Sequence, residues 1–573
     1  MVQSIPTYAM SSFSIPDNVC NKLDSLSRRF WWKPKNSDGR FLALTAWDNL
    51  CKPKTKGGLG FKKAKQINNA LLSKLAWMIA SKRDSLCMSI LRAKYKVKDD
   101  WLRREPPRSA SPVWKAIEGV KEIIVKGACY LIGDGASINV WLDPWAPWIQ
   151  NFIPKPAQPD FVETPLMVSM LINGSSQQWK ESLIRQLFET SSAEAILSIP
   201  LAAHRGIDKL IWVPCSKGVF AVKLAYKVAN PQSSQNTLPD QLWSRLWKIK
   251  VPKRIKMLLW RIASNTIPVK EILAQRMGID NQVCDLCHEA PESSCHLFRL
   301  CPVARAIWFT SCWGMRVHHQ NFANSADIVK LVLDPPIPSA QEVDREHITT
   351  TLAFALDEIW LLRNQFVLED TEIDILSTSS RIARRVAEFS NVHNPDVLAP
   401  PPVSPTTWSP PPVGTIKLNV DAAVGSTTTA MAVLARDHTG VPIKLWAKKY
   451  VKCLPVQAEA ASVLWAINLA SVEGWTRIII EGVSKICFDA LSDKDSLPPW
   501  NISNIVSDVF CVCLSFINVS FVWVRRDCNM AAHEAAKFAL QTPVSCCFSL
   551  DSLPLVLVTA CKADFPPCSF LFF

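Results

Sequence analysis

Residues 415–423 read Thr-Ile-Lys-Leu-Asn-Val-Asp-Ala-Ala, and the fold of the C-terminal part turns on them. Ile416, Leu418 and Val420 alternate with polar residues, the period of a strand with one buried face. Working outward, Ala430–Ala435 and Ile443–Tyr450 read as two more strands, divided by the turn Asp437-His438-Thr439-Gly440. Pro455–Val472 is an Ala-rich helix, Arg477–Ile480 a β-branched strand, Val519–Val524 a fifth strand and Asn529–Leu540 a closing helix. That order predicts a compact α/β domain over 415–542 with a mixed five-stranded sheet.

The same frame places acidic residues at strand ends. Asp421 ends the first strand, Glu459 lies early in the first helix, Glu481 ends the fourth strand, and His533 opens the last helix beside Asn529. Acidic groups at strand ends are commonly just solvated. Alternatively, carboxylates on adjacent strand ends can share divalent cations that clamp a phosphodiester. Magnesium suits such a site, because it wants carboxylate oxygens and keeps several waters.

Upstream, 395–414 holds eight prolines and cannot continue a helix or a central strand. It reads as a semi-rigid linker. The 313–394 stretch before it reads as a helical connector containing Trp360-Leu361-Leu362-Arg363-Asn364.

Over 240–312, Cys284-Asp285-Leu286-Cys287 is followed by His296 and Cys301. Two thiolates at i and i+3 can turn onto one cation, and a later His and Cys can complete a tetrahedron. Four protein ligands leave no open position, so zinc here would be structural. Cys295 and His288 are alternative ligands with poorer spacing. Just before the cluster, Trp243–Trp260 interleaves Lys248, Lys250, Lys253, Arg254 and Lys256 with tryptophans. Such tryptophans are either core or base-stacking platforms, and the basic residues fit phosphates.

Residues 1–130 read as helical. Ala64–Ala80 places Ile67, Leu71, Leu75 and Met78 on one face. The turn Gly57-Gly58-Leu59-Gly60 precedes it, crowded by Lys52, Lys54, Lys56, Lys62, Lys63 and Lys65. Residues 131–230 look mixed. Gly133-Asp134-Gly135 reads as a hairpin turn before an alternating Ile138–Trp141, and Lys209–Val213 and Gly218–Val222 read as short strands. Residues 543–573 are apolar and without clear period.

Composition bounds the whole. The 573 residues, 48% of them hydrophobic, exclude a wholly disordered chain and suggest about four units. The formal charge is +14, yet 1–126 alone carries 25 Lys+Arg against 10 Asp+Glu. A regional excess of that kind points to a polyanion, nucleic acid first. Nineteen scattered cysteines and no signal-like N-terminus fit a reducing compartment, nucleus or cytoplasm. No apolar run of about 18 residues is present, so no membrane partner is expected. Oligomeric state is not legible.

These residues carry a family resemblance. Lys417–Ala423, Ala458-Glu459-Ala460, Ile479–Ser484 and Arg525–His533 resemble the plant retroelement branch of type 1 ribonuclease H, as does the lead-in Trp408-Ser409-Pro410-Pro411-Pro412. The cysteine cluster, with Cys301–Arg305 and Trp308, resembles the zinc-binding domain that follows reverse transcriptase in plant LINE-type elements. Ile5–Met10, Arg29–Trp32, Trp47-Asp48 and Lys56–Phe61 resemble the C-terminal end of the polymerase itself. The resemblance implies a multidomain α plus α/β protein: a helical polymerase-end remnant, a helical zinc-binding domain and a ribonuclease H-like α/β domain.

It also implies a chemistry: hydrolysis of RNA in RNA–DNA hybrids, with Asp421 and Glu459 on magnesium and His533 relaying protons or loosely holding metal. Two departures qualify this. The polymerase's Tyr-x-Asp-Asp motif occurs nowhere, so no DNA synthesis is expected. The family's Glu-x-Asp-Ser pattern reads Glu481-Gly482-Val483-Ser484, and a Val cannot coordinate magnesium. Glu481 shares a strand face with Val483 and is the candidate substitute, displaced by about 7 Å. The expected partner is RNA, DNA or their hybrid, met by Lys52, Lys54, Lys56, Lys62, Lys63, Lys253, Arg254, Lys256 and Asn529. The alternative is a non-catalytic nucleic-acid-binding protein with a dead ribonuclease H fold.

Overall fold

The computed structural model describes residues 6–33, 41–98, 100–163, 165–174, 177–203, 206–231, 241–310, 315–320, 322–335, 345–369, 371–393, 408–493, 495–542 and 545–563. Most of the Pro-rich segment, 395–407, lies outside them, as do Ile5 and 564–573. The chain divides into two compact units. One comprises Met1–Pro6, Ile15–Ile67 and Pro231–Pro400, and the other Thr7–Ser14, Asn68–Asn230 and Pro401–Phe573.

The first unit is helical among its described residues. Helix Lys253–Ala263 buries Ile255, Leu258, Leu259 and Ile262, the i, i+3, i+4, i+7 stripe of a core-facing helix. It packs with Leu246, Phe298, Trp308, Val329, Val332, Leu352 and Leu356 in one core. The 25-residue helix Arg345–Glu369 buries two acids, Asp357 and Glu358. Burial of charge demands partners, and Arg254, Arg381 and Arg385 supply them.

The second unit holds all ten described strands. β1 (Ala128–Leu131) pairs antiparallel with β4 (Lys209–Trp212), and β2 (Ile172–Asn173) with β3 (Gln178–Trp179). The large sheet contains β5 (Ile416–Val424), β6 (Thr429–Arg436), β7 (Pro442–Tyr450), β8 (Arg477–Gly482), β9 (Asn518–Trp523) and β10 (Cys546–Ser549). Their spatial order is β10-β7-β6-β5-β8-β9. β5 is parallel to β8 and β8 to β9, while the other pairings are antiparallel. The sheet is mixed as expected but has six strands, not five. The sixth comes from the tail, whose four residues are too short to announce themselves by period.

Helices Pro455–Val472, Lys485–Ser492 and Ser503–Cys513 cover one face of this sheet, meeting Leu418, Val420, Val433, Ile478 and Ile480. Helix Met530–Gln541 covers the other face, and helix Leu555–Ala563 adds Leu557 and Cys561 to the same cluster. Ahead of the sheet, Trp408 is buried, with the Arg436 guanidinium 4.3 Å over its ring.

Four local expectations change. Ala64–Ala80 is helical as read, but its buried stripe is Asn68, Leu72, Ala76 and Ile79, one residue on from the apolar face predicted. Asn68 fixes that rotation by donating to the Met10 and Phe13 carbonyls at 2.7 and 2.8 Å. Ile138–Trp141 makes only a single antiparallel bridge, Asn139 opposite Met167, and then turns: the Asn139 side chain accepts from the Trp141 and Leu142 amides, a local bond that competes with longer strand pairing. Gly133-Asp134-Gly135 wraps the Asp208 carboxylate, which accepts from the Gly133, Gly135 and Ser137 amides. Gly218–Val222 likewise forms no strand, because helix Val222–Ala229 starts there.

Candidate functional site

The cysteine–histidine cluster assembles in the first unit. Ligand atoms of Cys284, Cys287, His296 and Cys301 all lie within 4.8 Å of one another. Around a tetrahedral zinc with bonds of ~2.3 Å, neighbouring ligands stand about 3.8 Å apart, so a small inward movement would seat the ion. The donor set fits structural zinc. Among the described residues it is also the only such group of three or more potential ligands. Cys295 and His288 are not in it.

Local structure delivers each ligand. His288 takes φ 56°, and its amide donates to the Cys284 carbonyl at 2.9 Å, closing the knuckle under the two thiols. A wide turn of helix, His296–Leu300, turns His296 inward so that Nε2 lies 3.2 Å from Cys287 Sγ. Cys301 caps helix Pro302–Phe309. The hydrogen bond from Cys284, with help from the Val303 and Ala304 amides, pulls the Cys301 thiol down. That same bond and burial push Cys284 up. Burial holds His296 below the usual imidazole range, which keeps it neutral and able to ligate.

The basic stretches converge in the same unit. The Lys-rich turn packs on helix Gln241–Lys248: Trp260 Nε1 donates to the Gly57 carbonyl at 2.9 Å, and Lys54 Nζ stands 4.5 Å over the Trp247 ring. Lys256 Nζ donates to the Trp247 carbonyl at 3.1 Å. Burial lowers the Lys256 pKa, and so does the like charge of Lys54 and Lys253 beside it. Thus Lys54, Lys253 and Lys256 form one positive surface from segments about 200 residues apart. Lys52 and Lys62 are exposed near it, and Lys56 is half-buried. Trp260 is core and Trp243 and Trp247 pack against that core, so these rings are framework. Two basic residues are committed elsewhere: Lys63 pairs with Asp48 at 2.8 Å, and Arg254 with the buried Asp357.

In the second unit, β5 carries a buried polar row of Lys417, Asn419 and Asp421 on the face that the closing helix covers. His533 Nδ1 lies 2.7 Å from Asp421 Oδ2. Burial pushes the Asp421 carboxyl above its usual range, against the pull of His533 and the exposed Arg526. Glu459 is raised well above its ordinary value, by burial first and then by the charge of Asp421. Its Oε2 is buried and finds no hydrogen-bond donor among the described residues, which suits an oxygen aimed at a cation.

Glu481 does not join them. Its Oε1 is 2.7 Å from Lys417 Nζ, and its Oε2 accepts from Asn419 Nδ2 at 3.0 Å. Both oxygens are spent, so the longer side chain does not substitute at position 483. Asn529 is buried and donates to the Val420 carbonyl at 2.8 Å, tying the closing helix to β5. It therefore offers no surface to a nucleic acid. Sequence reasoning missed Lys417 and Asn419 as the partners of Glu481. The i, i+2 spacing of Lys417, Asn419 and Asp421 on an otherwise apolar strand was the available signal.

Comparisons with known proteins fall on these two sites. Residues 220–308, spanning the cysteine cluster, match the family described as zinc-binding in reverse transcriptase. Residues 419–539, spanning Asp421 to His533, match the family described as reverse transcriptase-like. A protein of Arabidopsis thaliana named provisionally for ribonuclease H is 26% identical over 592 residues, covering 98% of this chain and 91% of the relative. An uncharacterized mitochondrial protein of the same plant is 34% identical over 143 residues, 25% of this chain and 92% of that one.

Among solved structures, ribonuclease H1 of Halobacterium salinarum aligns at 18% identity over 22% of this chain and 98% of its own, with TM-score 0.21. A foamy viral protease–reverse transcriptase in complex with an RNA/DNA hybrid aligns at 14% over 27% and 26%, with TM-score 0.20. Among the described residues no helix is long and apolar enough to cross a membrane. With matches to both families in this order, and a plant relative covered almost end to end, the chain carries a zinc-binding module of the reverse-transcriptase type followed by a ribonuclease H-like module, an order consistent with the C-terminal portion of a plant retroelement reverse transcriptase.

Proposed function

We propose that this chain is a nucleic-acid-binding protein of the ribonuclease H type, directed at RNA–DNA hybrids, whose hydrolytic centre is incomplete. The observation that carries the reading is one register. Parallel pairing ends with Asn419 of β5 opposite Glu481 of β8, and the same register carried two residues further would bring Asp421 level with Val483. The side chain at position 483 has no oxygen to offer, and Glu481, two residues before it on β8, is locked by Lys417 and Asn419.

Asp421 and Glu459 would hold one divalent cation, and the fit is good: two carboxylates, one with an unsatisfied buried oxygen. When bound, such an ion polarises the phosphodiester and activates water. Among the described residues no third potential ligand clusters with Asp421 and Glu459, so no second ion is assigned. The chain's own residues retain the rest of the task. His533 orients Asp421 and holds a proton at Nδ1 or passes it on. Lys54, Lys253 and Lys256 attract phosphates irrespective of sequence. Zinc on Cys284, Cys287, His296 and Cys301 would staple the fold that presents them. The division into polymerase-end remnant, zinc domain and ribonuclease H domain is part of the same proposal.

The test is cleavage of a labelled RNA–DNA hybrid with magnesium or manganese, comparing wild type with Val483→Asp and Asp421→Asn. Cleavage gained by Val483→Asp supports an incomplete centre. Efficient wild-type cleavage abolished by Asp421→Asn overturns it.

A further inference from the structure

The motif Trp360-Leu361-Leu362-Arg363-Asn364, inside helix Arg345–Glu369, belongs to neither site above. Its arginine is nevertheless aimed. Arg363 is 8% exposed, and its guanidinium meets Glu292, which is fully buried. Nη2 donates to Oε1 at 2.8 Å and Nε to Oε2 at 3.2 Å, a fork-on-carboxylate pair between residues 71 positions apart. The guanidinium also lies 5.4 Å over the Trp360 ring, and Nη1 donates to Asn364 Oδ1 at 3.3 Å. The motif builds a socket for one arginine.

Glu292 is the neck of the zinc knuckle. Its amide donates to the Gln282 carbonyl at 2.8 Å, and the Cys284 amide donates to Ala290 at 2.9 Å, zipping the loop that carries both cysteines. Its carboxylate accepts the Lys270 amide at 3.0 Å. One residue on, Ser293 Oγ accepts the His296 amide at 3.0 Å, starting the turn that delivers the histidine. Moving Glu292 therefore moves the thiol pair and the imidazole relative to each other.

We propose that Arg363 is a positioning residue for zinc, acting through Glu292 to hold the neck closed so that the four ligands converge. A buried carboxylate stripped of its partner is expensive and seeks water, which would open the neck. The fork matters as well as the charge, because a lysine ammonium cannot span both oxygens in a fixed plane. The metal module thus extends to residue 369 rather than ending after Cys301, and the Trp-x-x-Arg-Asn sequence is its remote half. This rests on the cluster being a zinc site.

The experiment uses the full chain. Zinc affinity is measured by competition with a chromophoric chelator, and cobalt(II) substitution reports ligand geometry through its visible absorption. Arg363→Gln should lower zinc affinity by about 10- to 100-fold and change the cobalt spectrum. Arg363→Lys should recover only part of the loss. In a Glu292→Gln background, Arg363→Gln should add little. Affinity within about twofold of wild type in folded Arg363→Gln would overturn the clamp. If that variant fails to fold, unchanged affinity in both Arg363→Lys and Glu292→Gln overturns it equally. A wild-type chain that takes up no zinc instead removes the site itself, a distinguishable failure.

Discussion

His533 Nδ1 stands 2.7 Å from Asp421 Oδ2, bridging 112 positions of sequence to join the closing helix to the first strand of the large sheet. With Glu459 beside Asp421, two carboxyls share a buried space with one imidazole and the charge of Arg526.

That arrangement sets a pH dependence. Both carboxyls are raised in the folded chain, mainly by burial. A raised acid favours its neutral form when folded, so its contribution to stability is intact below about pH 4 and declines as pH rises through the raised values. With a chelator present, Glu459→Gln should raise the melting temperature of the second unit at pH 7 and leave it nearly unchanged at pH 4. An equal shift at both pH values would remove the charge argument.

On the proposed reading, position 483 is what limits the chemistry. Supplying a carboxylate beside Asp421 restores an interaction worth several kcal/mol at a metal centre. Val483→Asp should therefore raise magnesium-dependent hybrid cleavage on the order of 10²-fold, and adding Asp421→Asn should remove the gain. Glu481→Gln should leave cleavage unaltered in the Val483→Asp background, since Glu481 answers to Lys417 and Asn419.

Zinc content is directly measurable. Elemental analysis of the purified chain should give about one zinc per molecule. The Cys284→Ser/Cys287→Ser double variant should lose it and become protease-sensitive in the first unit. Retained stoichiometry would mean that the metal sits elsewhere.

Binding should follow counterion release. A plot of log affinity against log salt should be steep for single strands and hybrids alike, and each of Lys253→Gln and Lys256→Gln should reduce the slope by about 1. Arg254→Gln should leave the slope unchanged and lower stability instead, because Arg254 neutralises the buried Asp357.

The basic turn is also a close backbone crossing. A Cβ at Gly58 would stand 1.9 Å from the Lys52 carbonyl oxygen, so Gly58→Ala should cost roughly 2–3 kcal/mol. Thermal unfolding of the first unit is the measurement, and weaker nucleic-acid binding should accompany the loss.

What the sequence made legible were features carried by local spacing. The convergence of Cys284, Cys287, His296 and Cys301 followed from their intervals, β5 followed from alternation around Val420, and β8 from its β-branched residues around Ile480. What it hid were side chains choosing distant partners. Nothing local says that Arg363 seeks Glu292, that Lys417 occupies Glu481, or that Asn529 turns inward to the Val420 carbonyl. Alternation also misled where a side chain could bond its own backbone, as Asn139 does.

The tail strand β10 has a practical consequence. It pairs along β7 from Lys444 to Ala447, covering backbone groups that would otherwise offer a template to any passing chain. A fragment cut after Gln541, where the closing helix ends and just past the matched stretch, would expose that rail. Its tendency to self-associate on purification would then be a product of the cut rather than a property of the protein.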